Sequence, residues 1–417
     1  MARRFFLQTL GCPKNDVDSD KLAGALLADG FERAEAVAEA DLVVVNTCAF
    51  VEEARQESID TILALAGERA TGSRLVVTGC LAERYGDELA AALPEVDEVA
   101  GFASAVPVTL GRRAGAGPSG LPAFDLLHLT RPRASAPWAY VKVAEGCDRA
   151  CGFCAIPSFR GRQRSRSIAA ILDEVGELEA REIVLVAQDL AAYGRDQGRG
   201  ERRIVPLVEA VARQVERVRL LYLYPSDLTD ALVDAVCATG VPYFDLSLQH
   251  VSAPLLRRMR RWGDGGRFLD RIRAIRVREP AAAFRSNFIV GYPGETEDDH
   301  DRLLDFLEDA SLDWCGLFAY SREAGTHAAT LDGAVPSGLV AERLGELRER
   351  QDAITAAKRD ELIGSEVRVL VDAPGVGRSH REAPEIDGVI EVPATLAVGS
   401  FATLTVTGAA GPDLEAA

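Results

Sequence analysis

Strand-like and helix-like patterns alternate along the first hundred residues. The strand-like runs are almost entirely apolar, and between them apolar residues recur at helical spacing. Such alternation is typical of a parallel sheet that helices cover on both faces. The sequence therefore predicts an N-terminal α/β domain over residues 1–102. Its predicted strands are 5–10, 42–45 and 75–78, and its predicted helices are 16–28, 51–66 and 81–93.

The alternation resumes at residue 138 and continues through six strand-and-helix units. Residues 103–137, between the two regions, are rich in Gly, Pro, Ala and Ser and predict a linker. Six units are too few for a closed eight-stranded barrel. Residues 138–364 therefore predict a partial (β/α)6 barrel with its chemistry at the carboxyl ends of the strands. The predicted strands are 139–143, 183–187, 220–224, 244–248, 284–290 and 315–320, and the predicted helices include 168–179, 207–215, 228–237 and 298–309.

The last segment, residues 365–417, has a different pattern. Short stretches of β-branched alternation are separated by glycines, which is typical of a small all-β module. A helix predicted over 339–362 leads into it. The fold class is therefore α/β, with a parallel-sheet domain, a partial barrel and a C-terminal all-β module.

Charge and hydropathy narrow the classes of partner. The 417 residues are 47% hydrophobic and carry a net charge of −17. No apolar run approaches the roughly 18 residues of a membrane span, and the first apolar stretch stops at Gly11, as in a strand rather than a signal peptide. We therefore expect a cytoplasmic protein that does not bind membranes. Direct nucleic-acid binding is not expected as its main mode, because phosphate-binding surfaces are basic; an acidic chain suits a basic protein partner.

Three cysteines follow the first predicted barrel strand in the segment EGCDRACGFCAIP: Cys147, Cys151 and Cys154. This C-x3-C-x2-C spacing supplies three thiolates, whereas a 4Fe–4S cluster usually takes four. One iron then stays open, as catalytic metal centres require, and can chelate the amino and carboxylate groups of S-adenosylmethionine. Reductive cleavage of its sulfonium bond gives a 5′-deoxyadenosyl radical, so these three cysteines are predicted to be catalytic. The alternative is a zinc knuckle, which needs a fourth ligand.

A second set of cysteines follows the three N-terminal strands: Cys12, Cys48 and Cys80. The carboxyl ends of parallel strands share one edge of a sheet, so these residues are expected to converge there. They predict a second 4Fe–4S cluster, again with one open iron. Each cysteine taken alone would be a buried core residue. That interpretation is the one given to Cys237 and Cys315.

Loops after the barrel strands offer contacts for S-adenosylmethionine. Phe153, within the cysteine motif, is predicted to supply backbone contacts near the adenine. Gln188 follows the second barrel strand, and Gly291 and Glu295 follow the fifth. These are predicted to bind the cofactor. The alternative is ordinary loop structure, with Thr296 capping the next helix.

Two further features have an open interpretation. His250, at the end of the fourth barrel strand, either lines the pocket or is a hydrogen-bonded structural residue. The basic run SFRGRQRSRS either touches substrate or is solvated surface, as most charge runs are. Its arginines are Arg160, Arg162, Arg164 and Arg166.

The whole chain resembles the methylthiotransferase family of radical S-adenosylmethionine enzymes. The order of parts matches that family: a three-cysteine domain, a radical barrel and a TRAM-like β module. Within the family it looks like the branch that modifies ribosomal protein uS12 rather than the branch that modifies tRNA. The motifs are LGCPKNDVDSD, VVNTCAFVEEARQESIDTI, VTGCLAERY, EGCDRACGFCAIPSFRGRQRSR, VAQDLAAYG, LYLYPSD, FIVGYPGETE, AYSREAGT and GRSHREAPEIDG.

The resemblance implies a reaction, cofactors and partners. Cys12, Cys48 and Cys80 would bind an auxiliary 4Fe–4S cluster, and the C-x3-C-x2-C motif the radical cluster. One S-adenosylmethionine would methylate sulfur associated with the auxiliary cluster, and a second would yield the radical that abstracts hydrogen from the β-carbon of an aspartate in uS12. The partner is uS12, free or in the small ribosomal subunit, with flavodoxin or ferredoxin as electron donor. A monomer is expected. The alternative is methylthiolation of a tRNA adenosine by the same chemistry.

The charge of the last module supports the uS12 branch. From residue 365 onward there are eight acidic side chains and three arginines. A module that binds phosphates should be basic, whereas an acidic one complements a basic ribosomal protein.

Overall fold

The computed structural model describes residues 3–102, 125–198 and 200–417. The chain forms two compact units. The N-terminal unit comprises Met1–Arg133, Ala144–Asp148 and Cys154–Arg166, and the C-terminal unit comprises Ala134–Val143, Arg149–Phe153 and Ser167–Ala417. No helix in the described part of the chain is long and apolar enough to cross a bilayer.

A five-stranded parallel sheet organises the N-terminal unit, in the order β2-β1-β3-β4-β5. The three strands and three helices predicted for this region are confirmed, and the short edge strands β2 and β5 are additional. The elements are β1 (Arg4–Thr9), α1 (Pro13–Ala28), β2 (Glu32–Arg33), β3 (Leu42–Thr47), α2 (Glu52–Glu68), β4 (Arg74–Gly79), α3 (Cys80–Ala92) and β5 (Glu98–Val99).

The central strand β3 is buried along its whole length because it packs on both faces. Val43 and Val45 belong to one apolar cluster, together with Ile62 of α2 and Leu89 of α3. Leu42 and Val44 face the opposite cluster, which includes Leu22 and Leu26 of α1. Alternate residues of a strand point to opposite faces, so an all-apolar strand is what a sheet covered on both sides requires.

Part of the predicted linker is packed against this unit. Residues 103–124 lie outside the described residues. Leu126 and Leu127 are buried in a short 3-10 turn, and the ammonium group of buried Lys21 donates to the Leu127 carbonyl at 2.8 Å. This stretch therefore belongs to the core of the N-terminal unit.

Six parallel strands in the C-terminal unit form the partial barrel. They lie in two three-stranded sheets, β10-β9-β6 and β11-β12-β13, joined by a β-bridge between Leu223 and Leu246. The predicted six-stranded α/β architecture is confirmed. The elements from residue 138 are β6 (Trp138–Lys142), β7 (Ala144–Glu145), α4 (Ile156–Arg160), β8 (Arg164–Ser165), α5 (Ile168–Leu178), β9 (Glu182–Val186), α6 (Ile204–Val211), β10 (Arg217–Leu220), α7 (Asp230–Ala238), β11 (Tyr243–Gln249), α8 (Ala253–Arg258), α9 (Gly265–Arg278), β12 (Ala283–Val290), α10 (Glu297–Ala310), β13 (Trp314–Ala319) and α11 (Ser337–Asp360). Of these, β7, α4 and β8 belong to the N-terminal unit.

The third barrel strand begins earlier than predicted. The strand expected over 220–224 is Arg217–Leu220 in the structure. Arg217 and Arg219 are both buried and lie two residues apart, so they share one face of the strand. Charged residues at these positions look like loop in a hydrophobicity pattern, which is why the prediction placed the strand three residues late.

The all-β module predicted after residue 365 is a small closed barrel of β14-β15-β16-β18-β17. Its core includes Val369, Ile390, Val406 and Leu414. The strands are β14 (Glu366–Ala373), β15 (Val376–Arg378), β16 (Ile390–Glu391), β17 (Phe401–Ala410) and β18 (Asp413–Ala416).

The loop after β15 contacts the amino-terminal ends of the partial barrel's strands. The Trp314 indole donates to the Arg381 carbonyl at 2.6 Å. The Tyr243 hydroxyl donates to Asp387 at 2.6 Å. Chemistry in such barrels takes place at the opposite, carboxyl ends of the strands. The C-terminal module is therefore bonded to the end of the partial barrel that faces away from its reactive loops.

A buried ion network joins β9 and β10 to the C-terminal module. Glu182 is fully buried and lies 2.8 Å from Arg219 and 3.3 Å from Arg378. Burial alone would raise the pKa of Glu182, but the charges of Arg378, Arg219 and Arg217 outweigh it and lower the pKa to about 2. Its ionised form therefore contributes stability at neutral pH that is lost as pH falls from the ordinary value of 4.5 towards 2.

Replacing Glu182 with glutamine is expected to lower the free energy of unfolding by about 3–5 kcal/mol, because the buried arginines lose their shared counter-charge. Urea unfolding at pH 7 measures the change. Glu216→Gln is the matched control, since Glu216 forms an ion pair with Arg181 while both side chains are more than 40% exposed; it should cost under about 1 kcal/mol. Equal losses in the two variants would contradict a structural role for the network.

Candidate active site

Cys12, Cys48 and Cys80 lie at the same edge of the N-terminal sheet. Cys12 is the N-cap residue of α1, three residues after β1. Cys48 directly follows β3, and Cys80 is the first residue of α3, directly after β4. The three strands are neighbours in the sheet. The convergence predicted from the sequence is therefore what the topology produces.

Glycines before two of these cysteines allow the backbones to approach closely. Gly11 has φ of +103°, and a Cβ there would lie 2.9 Å from the Cys48 sulfur. Gly79 has φ of +92°, and a Cβ would lie 2.5 Å from the Thr47 nitrogen. Other residues strongly disfavour such φ values. Each strand thus turns sharply and brings its cysteine to the shared edge.

Two thiols of this triad, those of Cys48 and Cys80, are buried, whereas Cys12 is half-buried. Burial, followed by the charges of Cys12 and Cys80, raises the pKa of the Cys48 thiol to about 12. Burial also raises the pKa of Cys80, although the charge of Arg160 opposes the rise. Such thiols are neutral at pH 7 and ionise when a metal's positive charge replaces the proton. The fit to a cationic metal group rests on the donor set, three cysteine sulfurs at one sheet edge.

Among the described residues, no three His, Cys, Asp or Glu side chains converge closely enough to hold a single metal ion. An iron–sulfur cluster does not need that convergence, because its cysteine thiolates bind different irons.

One guanidinium contacts the N-terminal triad, at Cys80. Arg160, the last residue of α4, donates to the Cys80 sulfur at 3.0 Å and to the Asn15 side-chain oxygen at 2.8 Å. It also pairs with Asp18 at 3.0 Å and with Glu145 at 2.9 Å. The expectation that this basic run is solvated surface is wrong for Arg160, because its side chain is only 3% exposed. The prediction fits Arg162, which is 91% exposed.

Asn15 is another site residue that the sequence did not single out. It is buried on the first turn of α1, and its amide nitrogen donates to the carbonyls of Leu10 and Thr47, at 2.8 and 3.0 Å. It thus ties together the ends of β1 and β3 beside the cysteines. The clue available in the sequence was its place three residues after Cys12.

The C-x3-C-x2-C loop turns tightly at two glycines. Gly146 has φ of +79°, and a Cβ there would lie 2.2 Å from the Arg162 carbonyl oxygen. Gly152 forms backbone hydrogen bonds of 2.7 Å to Met259 and Ala328. Cys147 is buried, and Cys151 and Cys154 are half-buried.

Two arginines of the C-terminal unit fix the middle of this loop. Arg149 pairs with Asp189 at 2.5 Å and also with Asp227. Asp189 follows β9, and Asp227 follows β10. Arg261 donates to the Cys151 sulfur at 3.4 Å. Both guanidinium groups lie within 4 Å of the ring centroid of Tyr224. Neither arginine could be recognised from sequence alone, because their partners are distant in the sequence.

The four residues predicted to contact S-adenosylmethionine lie on loops of the C-terminal unit. Phe153 and Gln188 are half-buried. Gln188 lies two residues after the end of β9. Gly291 directly follows β12 with φ of +81°, and its nitrogen donates to the Glu295 carboxylate at 2.6 Å. Glu295 also pairs with buried Arg343 at 2.8 Å. The carboxylate thus shapes the loop, and the cofactor contacts stay predictions.

Thr296 and His250 have structural partners, and Cys315 and Cys237 lie within elements of the C-terminal unit. Thr296 caps α10 through a reciprocal pair of hydrogen bonds with Asp299. His250 is fully buried, its Nδ1 accepts from the Ser252 nitrogen at 3.1 Å, and burial lowers its pKa to about 4. Cys315, on β13, has its pKa raised to about 12 by burial. Cys237 is half-buried on α7.

Solved structures with a similar fold support the architecture. The radical S-adenosylmethionine methyltransferase TsrM from Kitasatospora setae matches with a TM-score of 0.56 and 16% sequence identity, covering 96% of this chain and 84% of that one. The cobalamin-dependent radical enzyme OxsB matches with a TM-score of 0.51 and 12% identity, covering 84% of this chain and 56% of that one. Identities this low show the fold alone.

Sequence comparisons identify each part of the chain. Residues 4–101 match the Uncharacterized protein family UPF0004, residues 141–307 the Radical SAM superfamily and residues 363–417 the TRAM domain. Proteins described as ribosomal protein uS12 methylthiotransferase RimO are similar throughout. Those from Kineococcus radiotolerans and Moorella thermoacetica are 41% and 43% identical, covering 100% and 96% of this chain and 97% and 95% of the relatives. The chain belongs to the uS12 methylthiotransferase family of radical S-adenosylmethionine enzymes.

Proposed function

We propose that this protein adds a methylthio group to the β-carbon of an aspartate in ribosomal protein uS12. In this proposal Cys147, Cys151 and Cys154 hold the radical cluster, and Cys12, Cys48 and Cys80 hold the auxiliary cluster. Full-length similarity to uS12 methylthiotransferases supports the target and the reaction.

The observation that carries the proposal is the presence of two separate sets of three cysteines. One set lies on a single tight loop, and the other at neighbouring strand ends of a parallel sheet. Three thiolates leave one iron of each 4Fe–4S cluster without a protein ligand. A radical enzyme that only initiates chemistry needs one such site, whereas sulfur insertion uses a second.

When bound, the clusters and S-adenosylmethionine supply the electron, the 5′-deoxyadenosyl radical, the sulfur and the methyl group. The chain supplies ligands and their orientation. Arg149 holds the radical loop through Asp189 and Asp227, and Asn15 fixes the strand ends beside the auxiliary triad. Cysteine ligands that are held rigidly by such contacts keep the reacting groups within the narrow geometry that radical transfer requires.

The surface of the C-terminal module favours a basic protein as the target. Several of its acidic side chains are used internally: Asp372 pairs with Arg378, and Glu382 with Arg359. Within residues 365–417, all of which the structure describes, the exposed charged side chains remain mostly acidic. They are Glu366, Glu385, Glu391 and Glu415, against Arg368. This distribution complements a basic ribosomal protein.

A tRNA adenosine is the second candidate substrate. The observation in its favour is the match of residues 363–417 to the TRAM domain, a kind of domain that binds RNA. The acidic exposed surface argues against phosphate contacts there.

Anaerobically reconstituted enzyme, incubated separately with uS12, small ribosomal subunits and unmodified tRNA, tests the proposal. We expect the mass gain of one methylthio group on uS12, free or in the subunit, and none on tRNA. Mass spectrometry of the digested products measures it, with uS12 carrying alanine in place of the target aspartate as the control.

Two results would contradict the proposal. A methylthio gain on tRNA alone would assign the other substrate. Zinc in place of iron and sulfide in anaerobically purified protein, without the visible absorption of clusters, would show that the cysteines form structural metal sites.

A further inference from the structure

The environment of Arg160 links the auxiliary triad to the segment that carries the radical motif. Arg160 lies six residues after Cys154 in the sequence, and the stretch Cys154–Arg166 belongs to the N-terminal unit. Its guanidinium reaches Cys80, 80 residues earlier in the chain, at 3.0 Å. The segment that supplies the last radical-cluster ligand therefore also supplies a hydrogen-bond donor to the auxiliary triad.

Arg160 is surrounded by two carboxylates, an amide and a sulfur. Two carboxylates, Asp18 and Glu145, pair with one guanidinium nitrogen, and the other nitrogen donates to Asn15 and Cys80. The guanidinium carbon of Arg160 lies 3.9 Å from the centroid of the Phe102 ring. A buried arginine paired with two carboxylates seldom adds net stability. This arginine also donates to a cysteine sulfur, which a purely structural ion pair does not do.

We propose that Arg160 is a positioning residue for the auxiliary cluster, which fixes the Cys80 thiolate and raises the cluster's reduction potential by an N–H···S hydrogen bond. The inference rests on the proposed assignment of the auxiliary cluster to Cys12, Cys48 and Cys80. Hydrogen bonds to cluster sulfurs are among the factors that set these potentials. A donor stabilises the reduced, more negative state more than the oxidised state. Groups that orient metal ligands also control how tightly the metal is held.

A parent variant in which Cys147, Cys151 and Cys154 are all alanine isolates the auxiliary cluster. In this parent, the double substitution Arg160→Met with Asp18→Asn removes one positive and one negative charge, so the net charge of the site is unchanged. Methionine fills similar space and donates no hydrogen bond. A change in potential then reflects the loss of the guanidinium beside the sulfur, with its N–H···S bond and nearby positive charge, and not a change in the net charge of the site.

We expect the double variant to have a more negative midpoint potential than the parent, measured by redox titration monitored by electron paramagnetic resonance. We also expect a chelator to remove its iron faster, because groups that support metal ligands typically change metal affinity by about 10- to 100-fold. Arg162→Met is the matched control, because Arg162 lies two residues away and is 91% exposed. It should change neither quantity.

An unchanged potential and an unchanged rate of iron loss in the double variant would overturn the inference. If that variant does not fold, Arg160→Lys provides the test. Lysine keeps the charge but not the planar fork of donors, so we expect a smaller shift in the same direction, and a potential equal to the parent's would overturn the inference. A parent that binds no iron–sulfur cluster would instead refute the auxiliary assignment under the proposed function.

Discussion

Cys151→Ala is expected to reduce the formation of 5′-deoxyadenosine to the level of iron-free protein. Cys151 is one of the three thiolates proposed to hold the radical cluster. The two thiolates that remain in the variant are too few to hold a 4Fe–4S cluster in the usual way. The substitution also removes the sulfur that accepts the Arg261 hydrogen bond. Anaerobic assays with S-adenosylmethionine and dithionite, followed by chromatography, measure the product. Iron content should fall by roughly half, because the auxiliary cluster is retained.

Cys237→Ala is the control for this experiment. Cys237 is also half-buried, but it lies on α7 and is not a predicted ligand. Its loss should leave both iron content and 5′-deoxyadenosine formation unchanged. Undiminished cleavage of S-adenosylmethionine in the Cys151 variant would show that the C-x3-C-x2-C loop does not hold the radical cluster.

The positions of the cysteines could be predicted from the sequence because two local rules determine them. The spacing within EGCDRACGFCAIP places three thiols on one loop whatever the rest of the chain does. Cys12, Cys48 and Cys80 each follow a strand, and parallel strands end at one edge of a sheet. Neither rule requires knowledge of a distant contact.

The arginines around the cysteines could not be predicted in this way. Arg160 pairs with Asp18 across 142 positions of sequence, and Arg149 pairs with Asp227 across 78. A charged residue within a basic run looks like solvated surface, and only the tertiary structure shows that it is buried beside sulfur. The predicted strand at β10 begins too late for the same reason. Arg217 and Arg219 look like loop residues in the sequence but are buried against Glu182.

The C-terminal module shows a related limit. Its strand pattern predicted a separate β module, and the closed barrel confirms that architecture. The pattern gave no sign that Arg217 donates to the carbonyl of Arg378, across 161 positions. These contacts bond the module to the partial barrel. A substitution in residues 378–387 can therefore alter the stability of the whole C-terminal unit.

Cys48→Ala is expected to separate the two halves of the reaction. The variant should still form 5′-deoxyadenosine, because the radical cluster keeps its three ligands, but it should transfer no methylthio group to uS12. Cys48 is buried, as is Cys80, and it directly follows the central strand β3. Without its thiolate the auxiliary site retains two cysteines, too few to hold a cluster in the usual way. Parallel measurement of 5′-deoxyadenosine and of modified uS12 tests the separation.

Cys315→Ala is a close control because the two thiols share one physical property. Burial is the main cause that raises the pKa of each to about 12, so both are neutral thiols in the absence of a metal. They differ in position, since Cys315 lies within β13 and Cys48 lies at a strand end beside two further cysteines. If only the Cys48 variant loses methylthio transfer, position among the cysteines decides the role. Equal loss in both variants would point to packing, and unimpaired transfer in the Cys48 variant would place the sulfur chemistry elsewhere in the protein.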